Sequence, residues 1–189
     1  MFKFDKLVFG DLGWGDEFLF ATLMTITVSI LSMGLGLCLA IITVWAKLIT
    51  NRITRLIANF YTTVVRGVPE LLVIYLIFFG GNSVIMGVAK LFGYNGYIEL
   101  NALTIGTIAI AFISATYSSE VIRASYLAVN KGQVEAAKAL GFNKIQIFLR
   151  VMGPQIIRHA LPGIGNVWQI TLKDTSLISV TGLVEIMRQ

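Results

Sequence analysis

Four ionisable residues stand in stretches otherwise rich in apolar side chains: Arg66 and Glu70, within Arg66-Gly67-Val68-Pro69-Glu70, and the adjacent pair Lys173 and Asp174. Charge at membrane depth is retained only where it is partnered or useful, so each of the four marks a candidate site. Arg66 and Glu70 are four residues apart, a spacing that suits either a local ion pair near the membrane boundary or two groups facing a polar pathway. Pro69 removes a backbone donor beside them and unsettles the preceding turn, which predicts a broken helix. Lys173 and Asp174 do not face each other on a helix, so each needs a separate partner or water. They either border a polar cavity, with the hydroxyls of Thr175 and Ser176 able to meet a solute, or tie their helix to neighbours or to a second subunit. A cationic solute would favour a carboxylate and hydroxyl oxygens, which makes Glu70, Ser118 and Thr175 the candidate lining of a solute pathway.

Soluble-enzyme chemistry has no foothold. There is no Walker A loop, no HExxH, no paired cysteine ligands and no Ser/His/Asp arrangement, so no catalytic residue, metal or cofactor is expected in this chain. Cys38 is the single cysteine and lies inside an apolar run, which leaves neither a disulfide nor a thiolate metal site to build. His159, the single histidine, sits beside Arg158 at a membrane edge without a second ligand and reads as a boundary residue. The net charge of +5 does not point to nucleic acid, because the basic residues occupy the links between apolar spans and act as topology signals.

With 56% hydrophobic and 13% charged residues in 189, the chain is too apolar to dress a soluble surface and reads as an all-helical, polytopic membrane protein. Leu19 to Ala46 contains no charge and exceeds the ~20 residues that cross the hydrocarbon core. Ser32, Gly36 and Ala40 form a small-residue ridge on that first span. Lys47, Arg52 and Arg55 follow, whereas Asp5, Asp11, Asp16 and Glu17 precede, which places the N-terminus (residues 1–17) outside and the first link inside. The broken second span covers about Leu56 to Gly81, and an external loop about Asn82 to Leu100, with a short surface helix near Val84 to Phe92 and interfacial Tyr94 and Tyr97. The third, about Asn101 to Ile122, carries one ridge of Thr107, Ala111, Ala115 and Ser119 and a second of Gly106, Ser114 and Ser118. Glu120 and Arg123 close it on the inner side, and a weaker fourth span runs from Pro162 to Met187.

Between the third and fourth spans lies the one long basic insert, Lys131 to Pro162. Gln133 to Leu140 favours a helix with small residues at Ala136, Ala137 and Ala139, and Gly141 is placed to end it in the left-handed conformation. A second helix follows, with Ile145, Phe148, Leu149 and Met152 on one face, Ile147 and Val151 on the other, and Pro154 at its end or at a kink. This geometry suits an element wedged between a membrane body and a partner.

Glu135-Ala136-Ala137, with Gly141 four residues on and then Phe148 and Pro154, resembles the EAA loop of binding-protein-dependent ABC importer permeases. The resemblance extends over nearly the whole chain from about Phe18. Arg66-Gly67-Val68-Pro69, Tyr117 to Arg123, Ala160 to Gly163 and Leu172 to Leu177 look like segments of the polar amino-acid permeases. Arg66 to Pro69 and Leu161 to Asn166 most resemble the branch importing histidine, lysine, arginine, ornithine and opines. The resemblance implies a type I ABC importer transmembrane domain (about 18–189, coupling loop about 131–162) in a bacterial inner membrane. It also implies a second permease subunit, two ATPases that hold ATP and Mg, and a periplasmic solute-binding protein. Glu135, Ala136, Ala137 and Gly141 would then couple to the ATPase. Family members carry a fifth span after the region resembling residues 182–189, so a fifth is expected beyond the four present here. An ion-gradient-driven transporter or channel is the competing class, in which the intramembrane charges would hold coupling ions.

Overall fold

The computed structural model describes residues 14–91 and 101–181. The expectations for Asp5, Asp11, Tyr94, Tyr97 and residues 182–189 fall outside the described residues. Every described element is helical: α1 (Gly15–Leu48), α2 (Arg52–Gly67), α3 (Glu70–Tyr75), α4 (Gly81–Leu91), α5 (Ala102–Ala128), α6 (Lys131–Ala139), α7 (Lys144–Ile147) and α8 (Gly153–Asp174). A π-helical turn, Leu76–Gly80, joins α3 to α4, a second, Phe148–Met152, joins α7 to α8, and Thr175–Thr181 is 3-10 helix.

Asparagine starts four of these helices. The side chains of Asn51, Asn101, Asn130 and Asn143 accept from the backbone N–H of Ile53, Leu103, Gly132 and Gln146 at 2.8–2.9 Å, relieving donors that a helix start leaves unpaired. At α7 the bond is returned, Asn143 N–H donating to the Gln146 side chain at 2.9 Å and completing a capping box.

The axis of the bundle is α1 packed along α5, the most extensive helix contact, with α8 packed against α5 and, less extensively, against α1. The small-residue ridge of the first span meets both of those read on the third here. Ser32 Oγ donates to the Thr107 carbonyl at 3.1 Å, and a Cβ at Gly36 would collide with Ser114 Oγ and stand 3.1 Å from the Ala111 carbonyl oxygen. Only glycine lets the backbones approach this closely. Apolar clusters fill what remains, Val65, Val73, Ile74, Ala109 and Ile113 in one, Val28, Ile110 and Ile178 in another. Opposite the buried ridge, Leu31, Leu35, Leu39, Ile42 and Trp45 are exposed at helical spacing, a face suited to lipid.

α1 and α5 are each long and apolar enough to cross a membrane alone. The second span divides into α2 and the α3 segment, bent by 115° where Val68 and Pro69 interrupt the helix. α2 has three faces: Ala58, Thr62 and Val65 buried, Ile53, Leu56, Ile57 and Phe60 exposed and apolar, and Arg52, Arg55 and Arg66 on the third. The insert departs from the reading above at its prolines. α7, the π turn and α8 run on without a stop, so Pro154 does not end the helix; it directly follows the π turn, where the Gly153 N–H bonds to the Phe148 carbonyl five residues back, the irregularity that the kink reading allowed. Pro162 sits inside α8 instead of opening a span.

Candidate functional site

The break between α2 and α3 sets Arg66 and Glu70 on either side of Tyr117, near the middle of α5. Tyr117 donates its hydroxyl to Glu70 Oε1 at 3.1 Å, and the Arg66 guanidinium lies 5.5 Å from the centre of the same ring. Such a cation over a tyrosine face is attracted by the ring quadrupole. Asp174, the last residue of α8, is buried, with the Glu70 carboxyl among its charged neighbours. Four helical segments therefore bring two carboxyls, a guanidinium and a phenol together. Pro69 causes this placement, because an unbroken helix would carry Glu70 onward along α2.

Arg66 and Glu70 do not form the local ion pair that their spacing allowed; the ion pairs among the described residues are Lys47–Glu120 and Arg123–Glu120. The Asp174 side of the Lys173-Asp174 doublet points inward and Lys173 is exposed. Ser118 and Thr175 are each one residue from the cluster. Ser118 Oγ is fully buried without a partner, whereas Thr175 Oγ1 donates to the Leu172 carbonyl at 2.7 Å. Neither hydroxyl bonds to Glu70. Tyr117 was not singled out from sequence, although it is the one phenol among the small residues of mid-α5. Beside the cluster opens a cavity of about 370 Å³ lined by Thr62, Thr63, Arg66, Gly67, Tyr117 and Glu120.

At its far edge, Lys47 Nζ pairs with Glu120 and donates to Thr62 Oγ1 at 2.7 Å, while Arg123 Nε donates to the second Glu120 oxygen at 3.0 Å. α1, α2 and α5 are thus tied at one end. Lys47, read from sequence only as a topology signal, is buried.

The α6–α7 hairpin follows from that same end of α5. Gly141 has φ +78°. Its N–H donates to the Lys138 carbonyl at 2.9 Å and the Phe142 N–H to Ala137 at 3.1 Å, the two bonds of a Schellman ending. Glu135, Ala136 and Gly141 are exposed, while Ala137 is buried and supports the hairpin from within. Gln155 Nε2 donates to Gln133 Oε1 at 2.6 Å and Arg150 lies 6.0 Å from the Phe142 ring, fastening the hairpin to the start of α8.

A helical bundle with a lipid-suited exterior, a charged cluster where a helix breaks and a polar hairpin at one end defines a multi-pass membrane transport protein. The chain belongs to the binding-protein-dependent transport system inner membrane component family, whose sequence profile matches residues 32–189. It is 52% identical over 183 residues to the nopaline transport system permease protein of Agrobacterium fabrum, covering 96% of this chain and 78% of that protein. Against the histidine/lysine/arginine/ornithine transport system permease protein of Escherichia coli the identity is 39%, covering 93% and 77%. A crystal structure of an amino acid ABC transporter with histidines superposes with a TM-score of 0.77 at 31% identity, covering 93% of this chain and 77% of that one. The fold is therefore that of an ABC importer transmembrane domain, and the chain is a permease component.

Proposed function

We propose that the chain moves a basic amino acid or an opine across the inner membrane, driven by separate ATPase subunits that bind ATP and Mg. The observation that carries this is the meeting of Glu70 and Asp174 with Arg66 around Tyr117. A basic amino acid presents two cationic groups and one carboxylate, and the cluster presents the complement. Charge-assisted hydrogen bonds are the stronger ones. Ser118, whose buried hydroxyl is unpaired, and Thr175 complete the proposed pathway with Glu70. The names of the relatives, a nopaline permease and a histidine/lysine/arginine/ornithine permease, support this substrate class.

The partners in this reading are the ATPases, a second permease subunit and a periplasmic solute-binding protein. Residues 1–17 would lie in the periplasm, 18–189 would form the transmembrane domain, and the loop of about 131–162 would face the cytoplasm. Arg52 and Arg55 follow α1 at the end where Lys47 meets Glu120 and Arg123, near where α5 leads into the hairpin, so the cationic links gather on one side as cytoplasmic links do. Glu135, Ala136 and Gly141 are exposed for ATPase docking, small enough at Ala136 to enter a groove, with Ala137 holding their seat.

Proteoliposomes containing the permease pair, ATPase and binding protein test the proposal. Arginine or an opine uptake should require ATP and fall at least tenfold in Glu70→Gln and in Asp174→Asn. Uptake that proceeds on an ion gradient without the ATPase would overturn it.

A further inference from the structure

Along the hairpin-proximal halves of α1, α5 and α8 runs an open groove of about 630 Å³. Its walls are apolar, from Leu37 to Leu48 on α1, with Ile122 on α5 and Leu161 on α8, and Trp45 and Tyr126 bring the amphipathic rings. The α1 wall spans about 16 Å at the helical rise, close to half of a ~30 Å hydrocarbon core, so the groove is one leaflet deep. Tyr126 lines a second cavity as well, of about 290 Å³, which carries Lys131, Lys138 and Glu135. Both lysines are exposed, and neither takes part in either of the ion pairs formed among the described residues.

We propose that groove and cavity together bind one anionic phospholipid of the leaflet on the hairpin side. Its acyl chain fills the slot between α1, α5 and α8, its glycerol lies at the level of Tyr126, and its phosphate meets Lys131 and Lys138. A slot whose single polar side-chain group besides the Trp45 N–H is a tyrosine hydroxyl offers an acyl chain full apolar contact, and the lysines at its polar end are what select a lipid headgroup over an apolar helix. Two ammonium groups against one carboxylate favour a headgroup of net negative charge over a zwitterionic one, whose own cation would face the lysines. The bound lipid would touch the end of α5 and α6 at once, and so brace the hairpin proposed to receive the ATPase. The proposal shares with that reading the assignment of this end to the anionic leaflet, and a symmetric bilayer tests the site without it.

The full chain carrying Trp14→Phe and Trp168→Phe retains Trp45 as its sole indole. It is placed in nanodiscs of phosphatidylethanolamine with a minor fraction of acyl-brominated phosphatidylglycerol, or of acyl-brominated phosphatidylethanolamine at the same fraction. Trp45 should be quenched preferentially by the anionic lipid. Lys131→Gln and Lys138→Gln should each lower that preference about fivefold, as loss of one basic group at an anionic surface does. Ala160→Phe, which fills the groove, should weaken quenching by both lipids. Native mass spectrometry of the unsubstituted chain should show a retained phosphatidylglycerol adduct that Lys131→Gln/Lys138→Gln loses. Equal quenching by the two lipids, a preference that survives both lysine changes, or no quenching by either because protein covers the groove would each overturn the proposal.

Discussion

Lys47 of α1 and Glu120 of α5, 73 residues apart, form an ion pair whose lysine side chain is only 4% exposed. Thr62 and Arg123 complete the arrangement, so no lone charge is left inside. Removing Glu120 leaves the buried Lys47 ammonium without its counter-ion, and removing Lys47 leaves Glu120 with Arg123 alone, so breaking the pair costs more than the pair contributes. Lys47→Met alone should therefore destabilise the bundle by about 2 kcal/mol, whereas Lys47→Met with Glu120→Gln should cost less than the two single changes summed. Thermal unfolding in detergent measures the cycle, and strict additivity would show that the contact carries no coupling.

Tyr117 bonds Glu70 and underlies Arg66, which makes the phenol a positioning group for both charges. Tyr117→Phe keeps the ring under Arg66 and removes only the donor. It should weaken binding of a basic solute to the solubilised permease modestly, while Glu70→Gln weakens it about 10- to 100-fold, the range of a hydrogen bond to a charged group. Isothermal titration reads both. Equal affinity in Glu70→Gln and the unsubstituted protein would remove the carboxylate from the pathway.

The close approach of α1 and α5 yields a paired test. A Cβ at Gly36 meets Ser114 and the Ala111 carbonyl, whereas one at Gly34 meets nothing within 4 Å. Gly36→Ala should cost about 1–3 kcal/mol through overpacking, while Gly34→Ala should be neutral or stabilising by up to about 1 kcal/mol through helix propensity. Similar melting temperatures for the two variants would contradict the packing described here.

Much of this packing was legible in the sequence because membrane burial imposes simple patterns. Ser32, Gly36 and Ala40 announced a contact ridge by spacing alone, and Gly141 announced a helix end by its tolerance of positive φ. What stayed hidden depends on three-dimensional convergence. Nothing local in Tyr117 says that a break 47 residues earlier will aim Glu70 at its hydroxyl. Lys47 resembles any basic residue that ends a span until Glu120 is seen across from it. Ala137 stands in the same triplet as Ala136, yet a helix turns successive residues to different faces, and only the packed hairpin shows which one is buried.

Which side of the membrane holds the hairpin can be read with one cysteine. Lys138 is exposed on α6, and Cys38, the native cysteine, lies within α1. In Cys38→Ser/Lys138→Cys, an impermeant thiol reagent should fail to label intact cells and should label inverted vesicles. Labelling of intact cells would place the hairpin outside and end its assignment to a cytoplasmic ATPase.

Gly141 separates the fold of the hairpin from its proposed task. At φ +78° an L side chain is strained, yet a Cβ there would meet no atom within 4 Å, so conformation and not space limits substitution. Gly141→Ala should cost about 1–2 kcal/mol, the penalty of the left-handed region, and Gly141→Asn less, because asparagine bonds locally there. Gly141→Asp carries similar backbone strain and adds a charge at the turn proposed to dock. If that turn receives the ATPase, Asp should leave membrane insertion intact and ATP hydrolysis running but separate it from uptake, while Asn, close in shape and strain, retains coupling. Uptake per ATP hydrolysed in proteoliposomes distinguishes them: a ratio lost in both variants indicts the backbone, a ratio lost in Asp alone indicts the docking surface, and a ratio kept in both removes Gly141 from the coupling site.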